Sequence, residues 1–105
     1  MTDSEDGAWS NVLRPYNRLE AATVAEAAAL AGRCKRTIRY WCNQFDIGRR
    51  VPPGGPWQVS KVALSMFLDG DREALRAYRD GDRSSANVIA YFERCGVPLR
   101  GVPAK

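Results

Sequence analysis

The chain has 105 residues, 45% of them apolar and 10% aromatic, which is enough for the core of one small domain and too much for wholesale disorder. Sixteen Lys and Arg against twelve acids give a net charge of +4, and no apolar run approaches the roughly 18 residues that a membrane span requires. With no His, and three Cys that lack CxxC spacing, the composition argues against a disulfide framework and against a zinc site.

The same composition points away from catalysis. Without His, a general base has to be a carboxylate or a perturbed Lys, and the acids cluster at chain ends and helix junctions (Asp69, Asp71, Glu73, Asp80, Asp82) where caps explain them. Gly54-Gly55 sits between prolines and reads as a turn, not a phosphate loop. No catalytic residue, metal or cofactor is expected. The first residues (Thr2, Asp3, Ser4, Glu5, Asp6) reverse the basic-then-apolar order of a signal peptide, so a cytoplasmic, nucleoid-associated protein is expected.

Residues 1–18 have no sustained period and are expected to form a flexible arm, with Trp9, Val12, Leu13 and Tyr16 as the groups able to dock on a core. Thr23-Val24-Ala25-Glu26 fits a capping box, so an Ala-rich helix over 24–31 is expected, ended by Gly32. A second helix starts near Cys34 or Lys35. At about 100° per residue, Cys34, Ile38, Trp41, Cys42 and Phe45 share one arc, with the cysteines read as small apolar groups of the core side. Lys35, Arg36, Arg39, Tyr40 and Asn43 occupy the opposite arc. Gly48-Arg49-Arg50-Val51 and Trp57-Gln58-Val59 flank a Pro- and Gly-rich turn and read as an edge hairpin. Ser60 caps a third helix over 61–68 with Ala63, Leu64, Phe67 and Leu68 as its apolar stripe. Leu75 and Tyr78 turn inward on a helix over 72–79, and Ser84 or Ser85 caps a last helix reaching about Cys95. These elements predict a mainly α fold with a small β-hairpin wing. The expected divisions are the arm at 1–18, a binding domain at 19–68, additional helices at 69–95 that either complete the core or mediate assembly, and a frayed tail at 96–105.

Charge is concentrated where this pattern changes. Residues 33–61 hold seven basic groups and one acid, whereas the rest of the chain is net negative. A short turn around a Gly joins the first two helices, which is the helix-turn-helix arrangement. In that mode the second helix enters the major groove of double-stranded DNA. Lys35, Arg36, Arg39 and Asn43 are placed to reach base edges there, and Thr37 and Tyr40 suit phosphate oxygens. Arg49 and Arg50 of the ribbon, with Gln58 and Lys61 in support, are expected on the backbone or the minor groove. Thirteen of the sixteen cations are Arg, the side chain that joins charge to planar hydrogen bonding.

Three segments carry a resemblance: Thr23-Val24-Ala25-Glu26-Ala27-Ala28, Lys35-Arg36-Thr37-Ile38-Arg39-Tyr40-Trp41 and Gly55-Pro56-Trp57-Gln58-Val59-Ser60-Lys61. Together they resemble the MerR-like winged-helix domains of phage and mobile-element excisionases over about residues 19–68. The resemblance implies a recombination directionality factor without catalytic activity. Such a factor binds and bends attachment-site DNA, associates head to tail on tandem sites, and biases a tyrosine or serine integrase towards excision. MerR-like transcription regulators and phage small terminase subunits use similar domains and stand as the alternatives. Cys34 departs from the family pattern, because a capping Ser usually holds that position.

Overall fold

The computed structural model describes residues 11–14, 16–50 and 54–99. Expectations for Trp9, the rest of 1–10, Val51 to Pro53 and the tail from 100 onward lie outside the described residues.

The capping box forms as the sequence requires. Glu26 N–H donates to Thr23 Oγ1 at 3.0 Å and Thr23 N–H donates to Glu26 Oε1 at 2.9 Å, which starts α1 (Val24–Ala31). Gly32 ends it at φ 68°, a backbone state that suits Gly. Helix α2 (Lys35–Phe45) follows within three residues and buries Ile38 and Cys42. It ends at Asp46, which is left-handed and whose N–H donates to the Cys42 carbonyl. A two-residue strand that the sequence does not announce, β1 (Ala21–Ala22), precedes α1. It pairs with β3 (Trp57–Ser60), which also pairs with β2 (Gly48–Arg50), giving an antiparallel sheet of order β1-β3-β2. Arg49 stands opposite Gln58, and Arg50 opposite Trp57.

Ser60 accepts from Ala63 N–H at 3.0 Å and opens α3 (Lys61–Asp69). Its buried residues are Val62, Ala63, Leu64 and Met66, while Phe67 is half-buried and Leu68 exposed. The expected stripe of Ala63, Leu64, Phe67 and Leu68 is therefore rotated. The cause is that α3 touches α1 and β3 on one side and the two C-terminal helices on the other, so more than one face is covered. Those helices are α4 (Arg72–Arg79), with Ala74, Leu75 and Tyr78 buried, and α5 (Ala86–Arg94), with Val88, Tyr91 and Phe92 buried. Neither Ser84 nor Ser85 caps α5 through its hydroxyl. Ser85 still holds the N-cap position. The Asp82 carboxylate accepts from the Ser84 and Ser85 N–H groups that lead into the helix, at 2.8 and 2.9 Å, and these bonds hold its pKa below the usual carboxylate range. The fold is mainly helical with a small antiparallel sheet, a winged helix-turn-helix.

Two connections fix the geometry of the wing. A buried node lies where β3 meets α3. There the Glu20 carboxylate accepts from Ser60 Oγ and from the Tyr78 hydroxyl, and the Tyr78 oxygen in turn accepts from Leu13 N–H at 2.8 Å. Glu20, Ser60 and Tyr78 are each at most 2% exposed. Arg83 lies over the Tyr78 ring at 4.0 Å and donates to the carbonyls of Asn11, Arg14, Tyr78 and Asp82. Residues 11–14 are thus held on the core, with Val12 and Leu13 buried.

The second connection is Gly48, where β2 crosses α2. A Cβ there would lie 2.6 Å from the Gln58 carbonyl oxygen and 2.9 Å from Cys42 Sγ. Backbone cannot yield as a flexible side chain can, so Gly48→Ala should destabilise the domain by about 3 kcal/mol, at the upper end for overpacking. Thermal or denaturant melts of the single variant check this, and a midpoint equal to the parent's would mean that the wing can stand off from α2.

Candidate nucleic-acid interface

The exposed side of α2 divides into two stripes. Arg36, Tyr40 and Asn43 point to solvent, with Tyr40 57% exposed. Lys35 and Arg39, one helical turn apart, border a groove of about 720 Å³ that separates α2 from the wing. The far wall is made by Arg50, Gly55, Pro56, Trp57 and Gln58, and the floor by Ala22 to Glu26 at the start of α1. Tyr16 and Arg18 close one end. Four cations therefore converge on one concave surface. Its single acid, Glu26, has one carboxylate oxygen committed to Thr23 N–H.

Arg50 is held in a defined pose. Its Nε donates to the Gly55 carbonyl at 2.9 Å and its guanidinium carbon lies 5.2 Å from the Trp57 ring centroid. The two terminal nitrogens are thereby presented as a fork, the geometry that matches a phosphate. Among the described residues, the ion pairs shown are Arg79–Asp46 and Arg94–Asp69, and none of them engages Lys35, Arg36, Arg39 or Arg50.

Not every expected residue joins this surface. Arg49 is turned the other way. One of its terminal nitrogens donates to the Leu13 carbonyl at 3.1 Å, and its Nε is buried with no acceptor among the described residues. Alternation along β2 sends neighbouring side chains to opposite faces, which places Arg49 towards the N-terminal segment and Arg50 towards the groove. Lys61 begins α3 at the end of β3 away from the wing turn and does not line the groove. Thr37 is half-buried, and its hydroxyl sits 3.3 Å from Cys34 Sγ.

Cys34 itself is exposed, not on the core side, and makes no side-chain bond to the helix backbone. The Thr37 hydroxyl holds its thiol pKa below the ordinary value. Cys42, by contrast, is buried, and burial together with the nearby Asp46 pushes its thiol up to about 12. Trp41 is half-buried against Phe67, with ring centroids 4.8 Å apart, so it packs as a core-edge residue. Tyr40 meets the Phe45 ring edge-on and not the ribbon.

Sequence reasoning missed Arg18 and Tyr16, which it assigned to the arm. A local signal does exist at Asn17, whose side-chain oxygen accepts from Leu19 N–H at 2.8 Å in an Asx-type turn, but without periodicity around it this residue carries little weight. No group of three or more Cys, Asp or Glu among the described residues is arranged to hold a metal ion, and no described helix is long and apolar enough to cross a membrane.

The element order capped helix, short turn, cationic helix and two-stranded wing coincides with a match to the helix-turn-helix domain family over residues 23–79. The chain belongs to the helix-turn-helix domain family. Membership supports a DNA-binding role, with α2 as the second helix of the motif. No curated protein and no solved structure matches the chain. The matched span of this helix-turn-helix protein runs from the Thr23 cap through α4, and so takes in Tyr78 of the buried node.

Proposed function

We propose that the protein is an excisionase-like recombination directionality factor that binds and bends double-stranded DNA, with α2 in the major groove and the wing against the flanking backbone. The observation that carries the DNA pose is the convergence of Lys35, Arg39, Arg50 and Arg18 on the groove beside the outward row of Arg36, Tyr40 and Asn43. Arg36, Arg39 and Asn43 have the donor patterns that read guanine and adenine edges. Lys35, Tyr40 and Arg50 suit phosphates, and Gln58 lies beside them on the wing wall. A wing held at fixed distance from α2 favours bending, since the cost of deforming DNA is offset by added phosphate contacts. The excisionase role rests on the resemblance of residues 19–68, and with it come an integrase partner and head-to-tail association on tandem sites.

Footprinting on DNA flanking a recombination site tests the role. Protection over tandem repeats is expected. A single palindrome at a promoter would indicate a transcription regulator instead, and an absence of specific protection would remove both.

Arg36→Ala and Arg39→Ala should each cost about 1–3 kcal/mol of specific affinity while the melting curve stays unchanged, because both side chains are exposed. Unchanged specific binding in both variants would mean that another face meets DNA. Arg50→Ala should weaken binding to all sequences alike and lower the salt slope by about one phosphate contact. Arg49→Ala should instead act on stability, through its bond to Leu13. Binding measured from low to high salt separates the two.

A further inference from the structure

One end of the groove between α2 and the wing is built from outside the matched helix-turn-helix span. That span begins at residue 23 and stops at 79, whereas Tyr16 and Arg18 line the groove together with Lys35, Arg39 and Arg50. Arg18 is exposed, and the ion pairs shown among the described residues do not engage it. It also borders an adjoining hollow of about 450 Å³, which it lines with Tyr16, Asn17, Leu19 and Pro98. The cation therefore stands where the groove opens past the wing.

What holds Arg18 there is a turn tied from two sides. The Asn17 side-chain oxygen accepts from Leu19 N–H at 2.8 Å, and its backbone carbonyl accepts from Glu20 and Ala21 N–H at 2.9 and 3.0 Å. Its side-chain nitrogen donates to the Pro98 carbonyl at 3.1 Å, across 81 positions of chain. Asn17 is buried while Tyr16 and Arg18 on either side of it are exposed. Pro98 is placed in turn by Val97, which is buried and whose N–H donates to the Phe92 carbonyl of α5 at 2.9 Å. Beyond the turn, the chain runs straight into Glu20 of the buried node and into β1, where Ala21 pairs with Ser60. The backbone that carries Arg18 is thus ordered by folding, which leaves only the side chain to be fixed on binding.

We infer that Arg18 is a phosphate contact that this chain adds to its helix-turn-helix domain, and that Asn17, latched to Pro98, is the residue that positions it. The inference rests on the DNA pose proposed above. A strand seated between α2 and the wing leaves the groove past Arg18, whose guanidinium there meets the oxygens of one phosphate. Such a contact carries no sequence information, so Arg18 adds grip and register alike on every sequence. The segment that follows α5 acts on DNA at one remove, through the Asn17–Pro98 hydrogen bond.

Binding of the full chain to a random-sequence duplex over a range of salt concentrations tests this. One phosphate contact adds about 0.9 to the salt slope, so Arg18→Gln should bind about eightfold more weakly than the parent at about 0.1 M salt, with the gap extrapolating to nothing at about 1 M. Arg18→Lys keeps the charge and should stay near the parent. A parental slope in the Gln variant would overturn the contact. A Lys variant as weak as the Gln variant would overturn the phosphate assignment. Arg18 is exposed, so both variants should keep the parent's melting midpoint, and they decide the contact without help from Asn17. Arg50→Ala, measured alongside, separates this inference from the pose. A flattened slope there with Arg18→Gln unchanged removes Arg18 alone, whereas unchanged slopes in both remove the pose. Asn17→Ala is then made in the parent and in the Arg18→Gln background. Positioning predicts a loss of affinity in the parent and almost none on top of Arg18→Gln. An equal loss in both backgrounds, or a variant that does not fold, assigns Asn17 to stability and overturns its positioning role.

Discussion

Truncation after Gly81 is expected to abolish cooperative folding, not to release an intact binding domain. The removed segment supplies Val88, Phe92 and Val97, each at most 3% exposed, together with Tyr91. Burial of one such apolar side chain stabilises by about 1.5–3 kcal/mol, so the three most buried alone contribute about 5–9 kcal/mol. That is comparable with the whole net stability of a small domain, about 5–15 kcal/mol. Arg83 leaves with them, and with it three bonds to the carbonyls of Asn11, Arg14 and Tyr78 that hold residues 11–14 and the end of α4 in place. Far-UV circular dichroism during a thermal melt decides the matter. A sharp transition near the parent's midpoint would make α5 an accessory to a self-sufficient core. A broad, low-amplitude melt is the expected result.

Tyr78→Phe should destabilise the protein by about 2–4 kcal/mol at neutral pH, and by clearly less near pH 4. The hydroxyl donates to the Glu20 carboxylate and accepts from Leu13 N–H, so its removal leaves a buried donor unpaired and takes one bond from a buried acid. The pH dependence follows from linkage. Burial raises the Glu20 pKa above its ordinary value, opposed by the hydrogen bonds from Ser60 and Tyr78 and by the charge of Arg83. For an acid whose folded pKa lies above its unfolded one, the folded state holds the proton more tightly. Its contribution to stability is then greatest at low pH and declines as pH rises through that window. Loss of the Tyr78 donor moves the folded pKa higher still, so the gap between variant and parent opens with rising pH. Tyr78 takes no part in this titration, because burial and the neighbouring carboxylate push its own pKa far up. Urea titrations at pH 4 and pH 7 measure the gap. A constant difference would show that Glu20 stays protonated throughout, and a larger cost at pH 4 would reverse the argument.

The helices were legible in the sequence because their signals are local. A capping box at Thr23, Gly at 32 and 70, and Ser60 ahead of an apolar run fix boundaries within a few residues of chain. The cationic face of α2 was legible for the same reason, since a helical period sorts Lys35, Arg36 and Arg39 away from Ile38 and Cys42. What escaped depends on partners distant in the chain. Strand β1 has only two residues, and its pairing with β3 crosses nearly forty positions. Arg49 and Arg50 are chemically identical neighbours, and only the pleat and the position of Leu13 decide which one faces the groove. Arg18 joins the site through a turn at Asn17 that has no periodic context. The C-terminal helices read from sequence either as core or as assembly surface, a choice that depends on distant partners: Phe92 packs on Tyr78 under Arg83, and Val88 is buried.

The absence of a side chain at Gly48 has a consequence for redesign. There the backbone of β2 packs directly on the Cys42 side chain of α2, with the Gln58 carbonyl of β3 on its other side and no room for a methyl group, so strand and helix stand as close as Gly allows. Exchanging the outward residues of α2, or those at the tip of the wing, alters the chemistry that the two surfaces carry without moving either of them. The domain therefore separates its gauge from its vocabulary. Retargeting by substitution at positions 36, 39, 40 and 43 can be attempted as a problem of side-chain chemistry alone, on a frame whose span is already fixed.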